Sequence, residues 1–162
     1  MNIKRNILLN PGPATTTDTV KAAQLVPDIC PREREFGDLM RELGEDLLKV
    51  VHADPADWTT VLFCGSGTIA MDACVSSLVP AEGKLLIINN GAYSARAAEM
   101  ARAYSVPHID LTFPVDGRPD LAEVERTLNE NPDITAVYTT HQETGTGILN
   151  PVREIGALAH AH

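Results

Sequence analysis

Gly65-Ser66-Gly67-Thr68 sets two glycines and two hydroxyls between an apolar, β-branched run, Thr59 to Cys64, and a stretch of helical character, Ile69 to Leu78. A loop that leaves a strand and opens a helix presents free backbone N–H groups and the positive end of a helix dipole to one point, which suits an anion. The glycines let the backbone come close to that anion, and Ser66 and Thr68 add hydroxyl donors. The same residues equally describe a glycine-rich βα turn in which Thr68 only caps the helix, and the loop alone does not separate the two. The residues next in the chain narrow the kind of phosphate. A P-loop requires Lys and then Ser or Thr at the helix start, where this chain has Ile69-Ala70. Gly65 to Ala70 does match the relaxed dinucleotide pattern G-x-G-x-x-A. A dinucleotide site, however, also calls for an acid at the end of the second strand, and Asn89-Asn90 stand there.

Two more loops carry groups of the same use. Asn90-Gly91-Ala92-Tyr93-Ser94-Ala95-Arg96 follows one apolar strand, and His141-Gln142-Glu143-Thr144-Gly145-Thr146-Gly147 follows another. In a parallel sheet both emerge at the carboxyl edge, the edge of the glycine loop and the place where ligands bind. Tyr93 offers a flat face for stacking on an aromatic ring, and Thr144 a hydroxyl. Taken singly, each has an ordinary explanation: Tyr93 packs at a helix start, His141 bonds backbone at a strand end, and 144–147 is a turn. Their joint placement on one edge is the functional signal.

The elements that position these loops follow from periodicity. Apolar runs at Thr59–Cys64, Lys84–Ile88, Val106–Phe113 and Ile134–Thr140 are expected strands. Between and after them, Ile69–Leu78, Ala92–Tyr104, Pro119–Asn129 and Pro151–Ala161 are expected helices. Continuously apolar strands alternating with helices define an α/β fold, a mostly parallel sheet with helices on both faces. Residues 1–57 differ: Pro11-Gly12-Pro13 interrupts any regular element, Val20–Val26 is a short expected helix, and Glu35–Val51 has one apolar face at helical spacing. The expected organisation is a single domain over 1–162, with an N-terminal arm and helices in 1–57 and alternating strands and helices in 58–162.

Composition bounds the partners. A net charge of −9 excludes nucleic acid as the main partner, because a phosphate backbone needs clustered Lys and Arg. No stretch approaches the roughly 20 apolar residues that span a bilayer. Only three apolar residues separate Met1–Asn6 from Asn10-Pro11, too short a run for a signal-peptide core, so the expected location is cytoplasmic. Cys30, Cys64 and Cys74 form no CxxC pair, which predicts neither a disulfide framework nor a zinc site. His160 and His162 are expected to be solvated helix-end residues, so no metal is predicted.

With Asn10-Pro11-Gly12-Pro13, Gly65-Ser66-Gly67-Thr68, Asn90-Gly91-Ala92-Tyr93 and His141-Gln142-Glu143-Thr144 in this order, the chain from Leu9 onward resembles the class V aminotransferases of fold type I. The resemblance implies a large-domain fold of that type and pyridoxal 5'-phosphate as cofactor. Ser66, Gly67 and Thr68 would hold its phosphate, Tyr93 would stack on its ring, and Thr144 would bond near its phenolic oxygen. Gly12 would lie against the substrate. Gly145 stands where relatives carry Ser or Thr. Cys30-Pro31-Arg32-Glu33-Arg34-Glu35-Phe36 and Gly145–Pro151 further imply transfer of an amino group from 2-aminoethylphosphonate to pyruvate. The expected partners are thus a small-molecule amino donor and a 2-oxo acid acceptor, with a homodimer as the assembly. Another class V reaction (alanine–glyoxylate or serine–pyruvate), a nicotinamide-dependent dehydrogenase built on the GSGTIA loop, and a non-enzymatic small-ligand domain are the alternatives. Family members place the Schiff-base lysine, its acidic partner and the substrate-carboxylate arginine later in the chain, so residues 1–162 alone are expected to be inactive. The resemblance also implies that the second, third and fourth strands are neighbours in the order third–second–fourth, with the first strand apart from them.

Overall fold

In the computed structural model, which describes residues 6–162, the chain divides into two units, Met1–Cys64 and Gly65–His162. The first contains helices α1 (Asp18–Ala22) and α2 (Arg34–Val50). Thr17 starts α1, its hydroxyl accepting from the Val20 N–H at 3.4 Å. The helix stops at Ala22 rather than reaching Val26. Pro27 disfavours helical backbone at the residue before it, and Leu25-Val26 run out as exposed extended chain. In α2 the expected apolar stripe is present, but only Leu48 is buried. Leu39, Leu43 and Leu47 stay exposed.

Thr59–Cys64 is a correction to the sequence reading: it forms no strand. Thr60 is tethered, its hydroxyl donating to the Gly44 carbonyl at 2.9 Å. Val61 and Phe63 remain 71% and 56% exposed. An apolar, β-branched run becomes a strand only when a neighbour completes its hydrogen-bond ladder, and among the described residues this run has none.

The second unit follows the expected alternation. Its elements are α3 (Gly67–Ser77), β1 (Lys84–Asn89), α4 (Ala92–Ala103), β2 (His108–Thr112), α5 (Leu121–Glu130), β3 (Ile134–Thr139) and α6 (Val152–Ala161). The three strands form one parallel sheet in the order β2-β1-β3. This is the expected third–second–fourth neighbourhood. Leu86 pairs with Ile109 on one side and Val137 on the other.

Side chains alternate across a strand, so β1 feeds two cores. Leu86 and Ile88 join Phe113, Val124, Leu128 and Ile155, which brings α5 and α6 onto one face. Leu85 and Ile87 join Val75, Ala97, Ala98 and Ala101, which brings α3 and α4 onto the other. The three alanines of α4 are fully buried, and their small side chains let that helix lie close on the sheet. Leu86, Ile87 and Ile88 are completely covered, each contributing about 1.5–3 kcal/mol through burial. Asp120 opens α5 by accepting from the Ala122 N–H at 3.0 Å. β1 ends at Asn89 and β3 at Thr139, and the loops that matter begin there.

Candidate functional site

A cleft of about 310 Å³ lies where β3 ends, lined by Tyr138, Thr139, Thr140, His141, Gln142 and Thr144 from that strand and its loop, by Tyr93 from α4, and by Gly67 and Met71 from α3. Three sequence-predicted residues, Gly67, Tyr93 and Thr144, are therefore brought together, and His141 joins them. Ser66 and Thr68 flank Gly67 in the chain, Ser66 exposed and Thr68 half-buried, but neither lines the cleft. Gly12 belongs to the first unit and is exposed, with open space where a Cβ would stand.

The glycine loop builds its end of the cleft from backbone. Ile69 N–H bonds the Ser66 carbonyl at 3.0 Å, closing the turn that starts α3. The N-cap Ser66 makes no side-chain cap bond, and the first turn of α3 carries no acid. The first-turn N–H groups and the positive helix end are thus left for an acceptor from outside the helix. The two glycines have different reasons. A Cβ on Gly65 would stand 2.9 Å from Ile69 Cγ2, so helix packing excludes it, whereas a Cβ on Gly67 would meet no atom within 4 Å.

Tyr93 sits in the first turn of α4, 39% exposed, with the Arg96 guanidinium 5.6 Å from its ring centroid. The hydroxyl oxygens of Thr139 and Thr140 are buried without a hydrogen-bond partner, an uncommon state for polar atoms that marks this wall of the cleft. Burial pushes the Tyr138 hydroxyl above the usual phenol range. A flat aromatic face, an uncapped helix N-terminus and several hydroxyls are the donor set that a phosphorylated aromatic ring requires. The residues present fit pyridoxal phosphate.

Beneath the cleft lies a cluster that the sequence reading missed. Asn90 and Asn150 are 1% and 3% exposed, and their carboxamides bond reciprocally at 2.8 and 3.0 Å. Asn150 also donates to the Thr140 carbonyl at 2.7 Å, and Asn90 to the Gly117 carbonyl at 3.1 Å. Asn89 donates to Asp110 at 2.8 Å. The asparagines at the end of β1 thus have their amides engaged by partners within the chain, Asn90 buried and Asn89 near the surface, which further weakens a ribose site at that strand end. Glu143 is 1% exposed and accepts from the Ser94 hydroxyl at 3.1 Å. The available signal was two asparagines directly after a fully apolar strand and an Asn-Pro pair closing the loop, polar residues placed where backbone must turn.

The class-V aminotransferase model matches residues 22–162, and the chain belongs to that family. It is 38% identical over 157 residues to a 2-aminoethylphosphonate–pyruvate transaminase of Lactiplantibacillus plantarum, covering 96% of this chain and 43% of that protein. A protein of the same description from Syntrophobacter fumaroxidans is 42% identical over 150 residues, covering 93% and 40%. Among solved structures, alanine–glyoxylate aminotransferase from Nostoc sp. superposes with a TM-score of 0.84 at 26% identity, covering 99% of this chain and 42% of that one. Pyridoxamine–pyruvate aminotransferase from Mesorhizobium loti superposes at 0.87, a likeness of fold at 24% identity, covering 99% and 40%. The chain spans about two fifths of the length of these relatives. The family and its fold imply pyridoxal phosphate as the cofactor.

Proposed function

We propose that these residues belong to a pyridoxal-phosphate transaminase that moves an amino group from 2-aminoethylphosphonate to pyruvate, giving phosphonoacetaldehyde and alanine. The observation that carries this reading is the cleft that gathers Gly67, Tyr93 and Thr144 at the carboxyl edge of a parallel sheet. The named activity of relatives that match nearly the whole chain supports the choice of substrate. When bound, the cofactor supplies the electron sink that lets an amino group be exchanged with a 2-oxo acid. This chain's residues bind and orient it. The first turn of α3, with Ser66, Gly67 and Thr68, holds the phosphate by backbone N–H groups and hydroxyls. Tyr93 stacks on the ring, Thr144 donates to its phenolic oxygen, and Gly12 approaches the substrate.

The same reading carries the residues that relatives place later in the chain, a homodimer as the assembly and the cytoplasm as the location. No helix among the described residues is long and apolar enough to cross a membrane. The test is an assay of the whole protein with 2-aminoethylphosphonate, alanine and serine as donors and pyruvate or glyoxylate as acceptor. The expected result is the highest kcat/KM for 2-aminoethylphosphonate with pyruvate. Preference for alanine with glyoxylate would move the protein to another branch of the family. A colourless protein that binds NADH would remove the cofactor assignment.

A further inference from the structure

Glu143 lies between two cleft residues, yet its side chain turns away from solvent into the protein. Its backbone is already secured inside its own loop. Its N–H donates to the Ile148 carbonyl at 2.9 Å, and its carbonyl accepts from the Gly147 N–H at 2.7 Å. The base of the loop is closed separately, through Asn150 N–H to the His141 carbonyl at 2.8 Å and through the Asn90–Asn150 pair. The carboxylate is therefore not needed to close the loop. It reaches instead to the start of α4.

There the Ser94 hydroxyl accepts from the Asn90 N–H at 3.2 Å and stands 3.1 Å from both Glu143 Oε1 and the Gly91 carbonyl, which share its one hydrogen. Glu143 Oε2 occupies the place of a side chain on Gly91, where a Cβ would stand 2.3 Å from it. Gly91 is the N-cap of α4, and that helix has neither a side-chain cap nor an acid in its first turn. A negative group is favoured at the positive end of a helix, and here it comes from a loop 49 residues further along the chain. A buried carboxylate is costly, and a glutamine of the same shape would avoid much of that cost. Glutamate at this position points to a task other than filling space.

We propose that Glu143 is a positioning residue of the cofactor cleft. Its carboxylate locks the loop that carries Thr144 onto the first turn of α4 that carries Tyr93, and so fixes the hydroxyl relative to the stacking face. The proposal rests on the pyridoxal phosphate reading above. It requires nothing of the glycine loop and leaves the chemistry of the reaction unchanged.

The experiment uses the whole protein, wild type and carrying Glu143→Ala, Glu143→Gln or Ser94→Ala. Each is measured for pyridoxal phosphate dissociation constant, for the visible circular dichroism band of bound cofactor at saturation, and for thermal melting without cofactor. The expected result for Glu143→Ala is a dissociation constant raised about tenfold or more, from loss of a hydrogen bond to a charged group. Glu143→Gln, which keeps the shape and an acceptor, and Ser94→Ala are expected to raise it by a smaller factor. In all three the dichroic band is expected to weaken or shift, because the ring is less firmly oriented. Should Glu143→Ala fail to fold, the other two variants decide. Unchanged dissociation constants and bands would overturn the proposal, as would a lowered melting temperature with an unchanged band at saturation, the mark of a purely structural residue. A wild-type protein that takes up no pyridoxal phosphate would overturn the function reading and this proposal together, whereas normal wild-type uptake with unaffected variants would sink the positioning role alone.

Discussion

Two loops meet at the cleft and are held in different ways. The turn at 65–68 is made of backbone alone: one bond from Ile69 to Ser66 closes it, and no side chain caps the helix it opens. The loop at 141–150 is tied down at its base by Asn90 and Asn150 and further along by Glu143, all nearly inaccessible to solvent. One loop keeps its donors for a ligand. The other turns Glu143 and Asn150 inside the protein and presents His141, Gln142 and Thr144 to the cleft. A site built this way has a rigid wall and a wall whose hydrogen bonds are completed only by what binds, so substitutions in the two loops should differ in kind: loss of stability in one, loss of affinity in the other.

The sharpest way to break that contrast is Asn150→Ala, measured in the whole protein. It leaves the Asn90 Oδ1 and the Thr140 carbonyl without their donor, while the Asn90 amide keeps the Gly117 carbonyl, and the expected destabilisation is about 3 kcal/mol in denaturant unfolding, the upper end for leaving buried polar partners unsatisfied. A cost no larger than that of an ordinary surface change would mean the loop is not held as described. Thr68→Val is the matching change in the open turn. It is expected to leave unfolding nearly unaltered while weakening pyridoxal phosphate binding by roughly 1.5–3 kcal/mol, read by cofactor titration. Tyr93→Ala, between the two loops, should loosen the cofactor by about 1 kcal/mol through the lost stacking face. Unaltered cofactor affinity in both variants would place the site elsewhere.

The smallest effect lies away from the cleft, where β1 and β3 begin. Lys84 Nζ stands 2.8 Å from Asp133 and, with its hydrogen bond, holds that carboxyl below the usual aspartate range. A depressed folded value contributes stability above the unfolded value and loses it as pH falls through the folded one. Asp133→Asn should therefore lower the melting temperature slightly at neutral pH, and the difference from wild type should vanish in acid. A difference that persisted unchanged into acid would show that the ion pair is not its source.

The second unit was legible because its signals are local. Leu85–Ile88 is apolar throughout and Ile134–Thr140 is rich in apolar and β-branched residues, and the helices between them carry Pro, acids and alanines where helices need them. The observed elements match to within about two residues, a scatter expected at element ends. Thr59–Cys64 carries the same local signal and fails, because a strand is a property of a pair and this run has no partner among the described residues. The stripe on α2 is a milder case, since periodicity states which face is apolar and not whether anything covers it. In the site, glycine and aromatic positions were visible by type, whereas Glu143 was not. A glutamate in a polar loop has the composition of a solvated residue, and only the absence of a side chain at Gly91, 52 positions earlier in the chain, lets it be buried.

The central place of β1 in its sheet has a consequence in time. Its backbone lies between two ladders, with Leu85 N–H on the Pro107 carbonyl at 2.8 Å toward β2 and Lys84 N–H on the Asp133 carbonyl at 2.9 Å toward β3. With both faces buried as well, β1 opens to solvent only when the whole sheet separates, so its amides should be the last to exchange with deuterium, while the turn at 65–68 exchanges early. Asn90 and Gly91 follow directly from that strand. The turn at 65–68 is thus expected to open fast beside a strand that opens only with the whole sheet.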